Sequence, residues 1–120
     1  MSTPASKKDN SGAAAETAAL AWLQRQGLKL VERNWRCRAG ELDLVLRDGA
    51  TLVFVEVRLR GSQAFGGAAA SVDAKKRAKL LAAAQLYLAR AADQPCRFDV
   101  VTMTDGNGRD LQWIRNAFDA

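Results

Sequence analysis

The chain reads as an α/β domain, a mixed β-sheet flanked by helices in the order αβββαββ. Three observations carry that expectation. Two apolar segments, GELDLVLR and ATLVFVEVRLR, flank Asp48-Gly49; a segment of helical periodicity precedes them; and a second helical segment separates them from two further strands. At 120 residues the chain is one domain by length, and it buries roughly two thirds of its unfolded surface.

Residues 1–11 are small and polar and contain Pro4, the composition of a disordered tail. The folded domain is expected over 12–120. From Ala13 to Gln26 the apolar residues Ala15, Ala19, Leu20, Trp22 and Leu23 recur at helical spacing. Gly27 follows where a left-handed C-terminal cap belongs. Leu28 to Arg36 alternates approximately and predicts a strand.

The hairpin register follows from its turn. With Asp48-Gly49 as the two central residues, Arg47 pairs with Ala50, Val45 with Leu52, Asp43 with Phe54 and Glu41 with Glu56. Leu42, Leu44 and Leu46 then share an apolar face with Val53, Val55, Val57 and Leu59. A turn one residue longer would set those leucines beside Glu56 and Arg58. Glu41, Asp43, Glu56 and Arg58 project from the other face, with Asp43 and Glu56 diagonal at roughly 7–8 Å.

After Arg60 comes a small-residue loop containing Phe65-Gly66-Gly67, either a flexible approach to a ligand or a plain connection. A second helix is expected from about Asp73 to Ala92, with its stripe at Ala74, Ala78, Leu81, Gln85 and Leu88, flanked by Leu80, Ala84 and Tyr87. Pro95 ends the break. Cys96 to Thr104 predicts a strand, DGNG a turn, and Asp110 to Arg115 a short last strand.

Composition removes reaction classes. The chain has no histidine, so no Ser-His-Asp triad, Cys-His pair or His-Cys zinc site can form. Cys37 and Cys96 are too far apart for a CxxC motif. Without a signal peptide or an apolar run of transmembrane length, they read as reduced, buried thiols in a cytoplasmic protein; a disulfide between them is the alternative.

What remains is carboxylate, amine, guanidinium and metal chemistry. Acids gathered on one sheet face repel each other. A divalent cation would compensate, since Mg²⁺ binds through one or two carboxylates plus phosphate oxygens. The competing explanation is that solvent reaches Glu41 and Asp43 while Arg58 neutralises Glu56. Glu16 falls on the apolar stripe of the first helix, which points an acid inward. An acid near a helix start is also favoured by the dipole, although that does not explain its face.

The net charge of +5 is uneven. Residues 1–40 carry seven basic and three acidic groups, 41–60 three and four, 61–95 five and two, and 96–120 three and four. An acidic hairpin therefore lies between two basic segments, an arrangement suited to a metal held beside a polyanion. Lys75, Lys76, Arg77 and Lys79 open the second helix, where cations oppose the dipole. A neighbouring phosphate explains that placement, and a solvated charged face explains it too. Arg33, Arg36 and Arg38 around Trp35 form a second basic strip, with the tryptophan either core or a base-stacking platform.

Gly12 with Glu16, Asn34, GELDLV at 40–45, FVEVRLR at 54–60, the lysine-bearing helix and CRFDVV at 96–101 together resemble the bacterial YraN family over about residues 12–118. That family is similar to the PD-(D/E)xK superfamily of restriction-endonuclease-like nucleases, which includes junction resolvases. The resemblance implies a single endonuclease-like domain and a DNA nuclease, acting on branched or junction intermediates. Asp43 would stand for the motif aspartate, Glu56 for the second acid, Arg58 for the usual lysine, and Glu16 for a first-helix acid. Asp43, Glu56 and the Val57 carbonyl would hold Mg²⁺ or Mn²⁺. Arg36, Arg38, Arg60, Lys75, Lys76 and Lys79 would meet nucleic acid, and a homodimer is the assembly such relatives adopt. Arg58 departs from the pattern: with a pKa above ~12, arginine stabilises phosphoryl charge but does not deprotonate water. Lys75 or Lys76 is the substitute to look for. A catalytically silent nucleic-acid-binding module of the same fold is the alternative function, and a protein-interaction domain with structural acids a third.

Overall fold

A computed structural model describes residues 10–59, 72–90 and 94–118. It has the predicted order: α1 (Asn10–Arg25), β1 (Lys29–Cys37), β2 (Gly40–Asp48), β3 (Thr51–Leu59), α2 (Ala74–Leu88), β4 (Cys96–Met103) and β5 (Gln112–Phe118). The five strands form one mixed sheet in sequence order. Only β3 and β4 are parallel. A parallel pair needs a crossover, and α2 lies within it.

Helix α1 begins at Asn10, inside the segment expected to be tail; residues 1–9 lie outside the described residues. It ends as its sequence requires. Gly27 adopts φ 101°, Gly27 N–H donates to the Gln24 carbonyl and Leu28 N–H to the Leu23 carbonyl. Leu28 is buried in the same cluster as Leu23. These are the two bonds and the apolar contact of a Schellman cap.

The sheet has a helix on each face, so its central strands are apolar on both sides. Ala15, Ala19 and Leu23 of α1 pack with Leu44, Leu46, Val53, Val55, Val101 and Met103. Leu80, Ala83, Ala84 and Tyr87 of α2 pack with Val45, Leu52, Phe54, Phe98 and Val100. The buried face of α2 is thus Leu80-Ala83-Ala84-Tyr87. The expected stripe is rotated out, with Ala74, Ala78 and Gln85 exposed, because turning the larger Leu80 and Tyr87 inward removes more apolar area from water. Helix α2 stops at Leu88, short of the expected Ala92.

The hairpin turns one residue later than expected. Asp48 pairs with Thr51, Arg47 with Leu52, Val45 with Phe54 and Leu44 with Val55, so the central residues are Gly49 and Ala50, with Gly49 at φ 62°. Moving the turn by one residue moves each cross-strand partner by two, which leaves the faces unchanged. Glu41 is therefore not opposite Glu56; on its other side it pairs with Arg36 of β1.

Leu42 also departs from expectation by joining the α2 cluster, away from Leu44 and Leu46. Its cross-strand partner is Trp35, while Leu44 is opposite Arg33. Between Arg33 and Trp35 lies Asn34 at φ 55°. This left-handed residue reverses the pleat, so Arg33 reaches α1 and Trp35 reaches Tyr87. The partners change face together.

β5 runs to Phe118, beyond the predicted end at Arg115, and Phe118 stacks on Phe98 at 5.0 Å between ring centroids. Cys37 and Cys96 are free and half-buried rather than fully buried.

Candidate active site

β2 and β3 carry the two acids to one place because β3 alternates. Val53 and Val55 face α1, whereas Leu52 and Phe54 face α2, and Glu56 continues the latter face. The β2–β3 ladder ends at Leu44–Val55; Asp43 and Glu56 lie just beyond it, close enough for the charge of one to act on the other. There Asp43 Oδ2 accepts the Val57 N–H at 3.0 Å, the role a strand carbonyl would otherwise fill. Asp43 is 6% exposed and Glu56 5%.

Two cations converge on Glu56 Oε2: Lys76 Nζ of α2 at 3.4 Å and Arg58 Nη1 of β3 at 3.5 Å. The other carboxylate oxygen, Oε1, is buried without a hydrogen-bond partner. Burial, then the adjacent Asp43 charge, pushes the Glu56 carboxyl up to about 7, even though Lys76 and Arg58 pull the other way. An acid held this way is poised for a stronger cation than it has. Two carboxylates and a peptide carbonyl make an all-oxygen donor set, which fits Mg²⁺ or Mn²⁺. No group of three or more acidic or cysteine side chains among the described residues is spaced to hold a metal, so a bound ion would take its remaining ligands from water or substrate.

Lys76 reaches Glu56 because the start of α2 is fixed. Asp73 is the N-cap, in extended conformation, and its carboxylate accepts the Lys76 N–H at 2.8 Å. Outside the acid pair, Arg58, Lys75, Lys76, Lys79 and Asp73 line an open groove of about 350 Å³. Gly40, at φ 149°, backs onto it: a Cβ there would lie 3.9 Å from that of Lys79. Arg38, exposed in the turn before Gly40, is not among the residues that line the groove.

The other candidates fall elsewhere. Glu16 is 2% exposed on α1, with Arg33 Nε at 3.7 Å; Arg33 also donates to Thr17 Oγ1 at 2.8 Å, tying β1 to α1. Glu41 pairs with Arg36 at 3.5 Å. Trp35 packs edge-on against Tyr87 with Arg90 over its ring, so it is a packing residue and not a platform open to bases. Arg60 and the Phe65-Gly66-Gly67 loop lie outside the described residues.

Asp99 is a buried acid that strand periodicity alone does not single out. It is 1% exposed and fully engaged: Arg97 Nε at 3.0 Å, Trp113 Nε1 at 2.8 Å and Asn116 N–H at 2.9 Å all donate to it. Its signal was a lone acid inside CRFDVV. Asp99 fastens β5 to β4 where their register shifts, and its satisfied carboxylate contrasts with that of Glu56.

Comparison with known proteins places this arrangement in a family. Residues 15–103 match the profile described as "Uncharacterised protein family UPF0102". A UPF0102 protein of Stutzerimonas stutzeri is 56% identical over 119 residues, covering 96% of this chain and 99% of its own. One from Pseudomonas savastanoi pv. phaseolicola is 53% identical over 98% of this chain and 99% of its own. Another, from Nitrosomonas europaea, is 51% identical over 95% and 98%. With the profile covering both strands of the acid pair and α2, and such relatives matching nearly end to end, the chain belongs to the UPF0102 family, the YraN family that its GELDLV and FVEVRLR motifs resemble.

Proposed function

We propose that the protein is a metal-dependent nuclease of the PD-(D/E)xK kind that hydrolyses DNA phosphodiesters, with branched or junction DNA as its substrate. The observation that carries this reading is the buried Asp43–Glu56 pair set beside a groove lined by four cations. Asp43, Glu56 and the Val57 carbonyl would hold Mg²⁺ or Mn²⁺. Bound there, the ion supplies activated water and offsets charge on the scissile phosphate.

The chain's own residues do the rest. The Val57 N–H fixes the orientation of Asp43. Arg58, one third exposed and beside Glu56, turns a permanent positive charge toward the phosphate as it gains negative charge. Lys75 and Lys79, with Arg36, Arg38 and Arg60, bind the strand backbone. Glu16 positions β1 through Arg33. A homodimer would present two such sites to the two arms of a junction.

The test is incubation of pure protein with branched, nicked and single-stranded DNA in Mg²⁺ or Mn²⁺. Cleavage of branched DNA that Asp43→Ala abolishes is the expected result. No cleavage of any substrate, or equal cleavage by Asp43→Ala, overturns the proposal.

One observation favours a second reading, a silent nucleic-acid-binding module. Lys76 and Arg58 already stand beside Glu56 Oε2, which gives a buried acid partial compensation without any metal. This reading predicts DNA affinity that survives Asp43→Ala and falls with salt at a log–log slope of roughly −0.9 per phosphate contacted.

A further inference from the structure

The Lys76 ammonium has two sides. One lies 3.4 Å from the Oε2 of a carboxylate that is 5% exposed. The other faces the groove, where Arg58, Lys75 and Lys79 stand with a single acid, Asp73. Asp73 caps the helix and keeps its charge, but one acid against four cations leaves the groove with a net positive field.

That arrangement is unstable toward a polyanion and toward a cation at the same time. A phosphate in the groove competes with Glu56 for Lys76. A cation at the acid pair competes with Lys76 for Glu56. The Lys76 backbone is held by its cap, but four rotatable side-chain bonds let the ammonium turn from one partner to the other. Arg58 is less suited to such an exchange, because it lies on β3 two residues from Glu56, whereas Lys76 comes from a different element, α2.

We propose that Lys76 is an exchangeable counter-ion: it neutralises Glu56 in the free protein and turns to a backbone phosphate of bound nucleic acid, which leaves the Asp43–Glu56 pair open to a divalent cation. Loading with DNA and loading with metal are then mutually reinforcing. The inference rests on the acid pair being a metal site. It adds that α2 controls access to the pair, and that Lys76 positions Glu56 before it contacts substrate.

The experiment compares the wild type, Lys76→Met and Lys79→Met. Mn²⁺ affinity is measured by calorimetry without DNA, and DNA affinity by salt titration in a chelator. Removing the competitor should tighten Mn²⁺ binding by roughly tenfold in Lys76→Met while reducing the magnitude of the salt slope by roughly 0.9. Lys79→Met lines the same groove and should reduce the slope similarly with no change in Mn²⁺ affinity. In the wild type, saturating DNA that Mn²⁺ does not cleave at low temperature should tighten Mn²⁺ binding. Equal Mn²⁺ affinity in wild type and Lys76→Met overturns the exchange and leaves the metal site standing. No Mn²⁺ binding by any of the three overturns both. An unchanged salt slope in Lys76→Met overturns the phosphate contact and with it the exchange.

Discussion

Glu56 and Asp99 are both acids inside apolar strands, and their surroundings set them apart. Asp99 receives donors on both oxygens and serves as a fastener. Glu56 shares its burial with a second acid, and its carboxyl is pushed from 4.5 up to about 7. The folded state therefore holds a proton that the unfolded chain has released, between about pH 4.5 and 7. Stability from this source is complete below about 4.5 and is lost as pH rises through about 7. Glu56→Gln cannot titrate. Urea unfolding in a chelator should show the variant gaining on the wild type by roughly 2–3 kcal/mol from pH 4.5 to 8, on top of a constant offset from replacing the protonated acid by an amide. Parallel pH profiles for the two proteins would show that Glu56 is not the titrating group. Both acids were visible in the sequence as breaks in strands. Which was satisfied was not, because Asp99 draws donors from β5 as well as from its own strand, and Glu56 meets a lysine from α2 beside the arginine of its own strand.

At the scale of the element, Asn34 decides more than its neighbours suggest. Its positive φ lets one short strand send Arg33 to α1 and Trp35 to α2. Asparagine tolerates that conformation and β-branched residues do not. Asn34→Gly should stay within about 0.5 kcal/mol of the wild type, whereas Asn34→Val should lose about 2 kcal/mol, read by thermal or urea unfolding. Loss of the Trp35–Tyr87 contact in the Val variant would appear as a changed near-ultraviolet signal. Strand β1 was readable in LKLVERNWR as an approximate alternation, and the approximation was the trace of the reversal. The turn of the hairpin was misplaced by one residue for a related reason: Asp-Gly and Gly-Ala both supply an acceptable turn, and local sequence does not choose between two turns that preserve the same faces. The buried face of α2 was likewise ambiguous, since a helix so rich in alanine has apolar residues on most of its circumference.

At the scale of the molecule, the sheet separates two apolar layers, one under each helix. Leu23 of α1 and Leu80 of α2 share no cluster. Leu23→Ala and Leu80→Ala should each lose about 2–5 kcal/mol, and their effects should add within about 0.5 kcal/mol in urea unfolding of the double variant. A strong coupling would mean the sheet transmits strain between layers. No helix among the described residues is long and apolar enough to cross a membrane. The surface charge is likewise divided, with the acidic pair sunk in the sheet and the basic side chains around the groove.

The sequence by itself determined the element order, the faces of the hairpin strands apart from Leu42, and the identity of Asp43 and Glu56 as acids that break the apolar pattern. Those features are local: periodicity, turn residues and alternation act over a few positions, and each is encoded where it is used. Only the tertiary structure decided that Lys76 meets Glu56, that Glu41 belongs to Arg36 and Glu16 to Arg33, and that Asp99 is already satisfied. Each of those pairings joins different elements, and its partner is chosen by how helices and strands pack and by which strands pair in the sheet. The competition among long-range contacts that settles this leaves no mark at any single position.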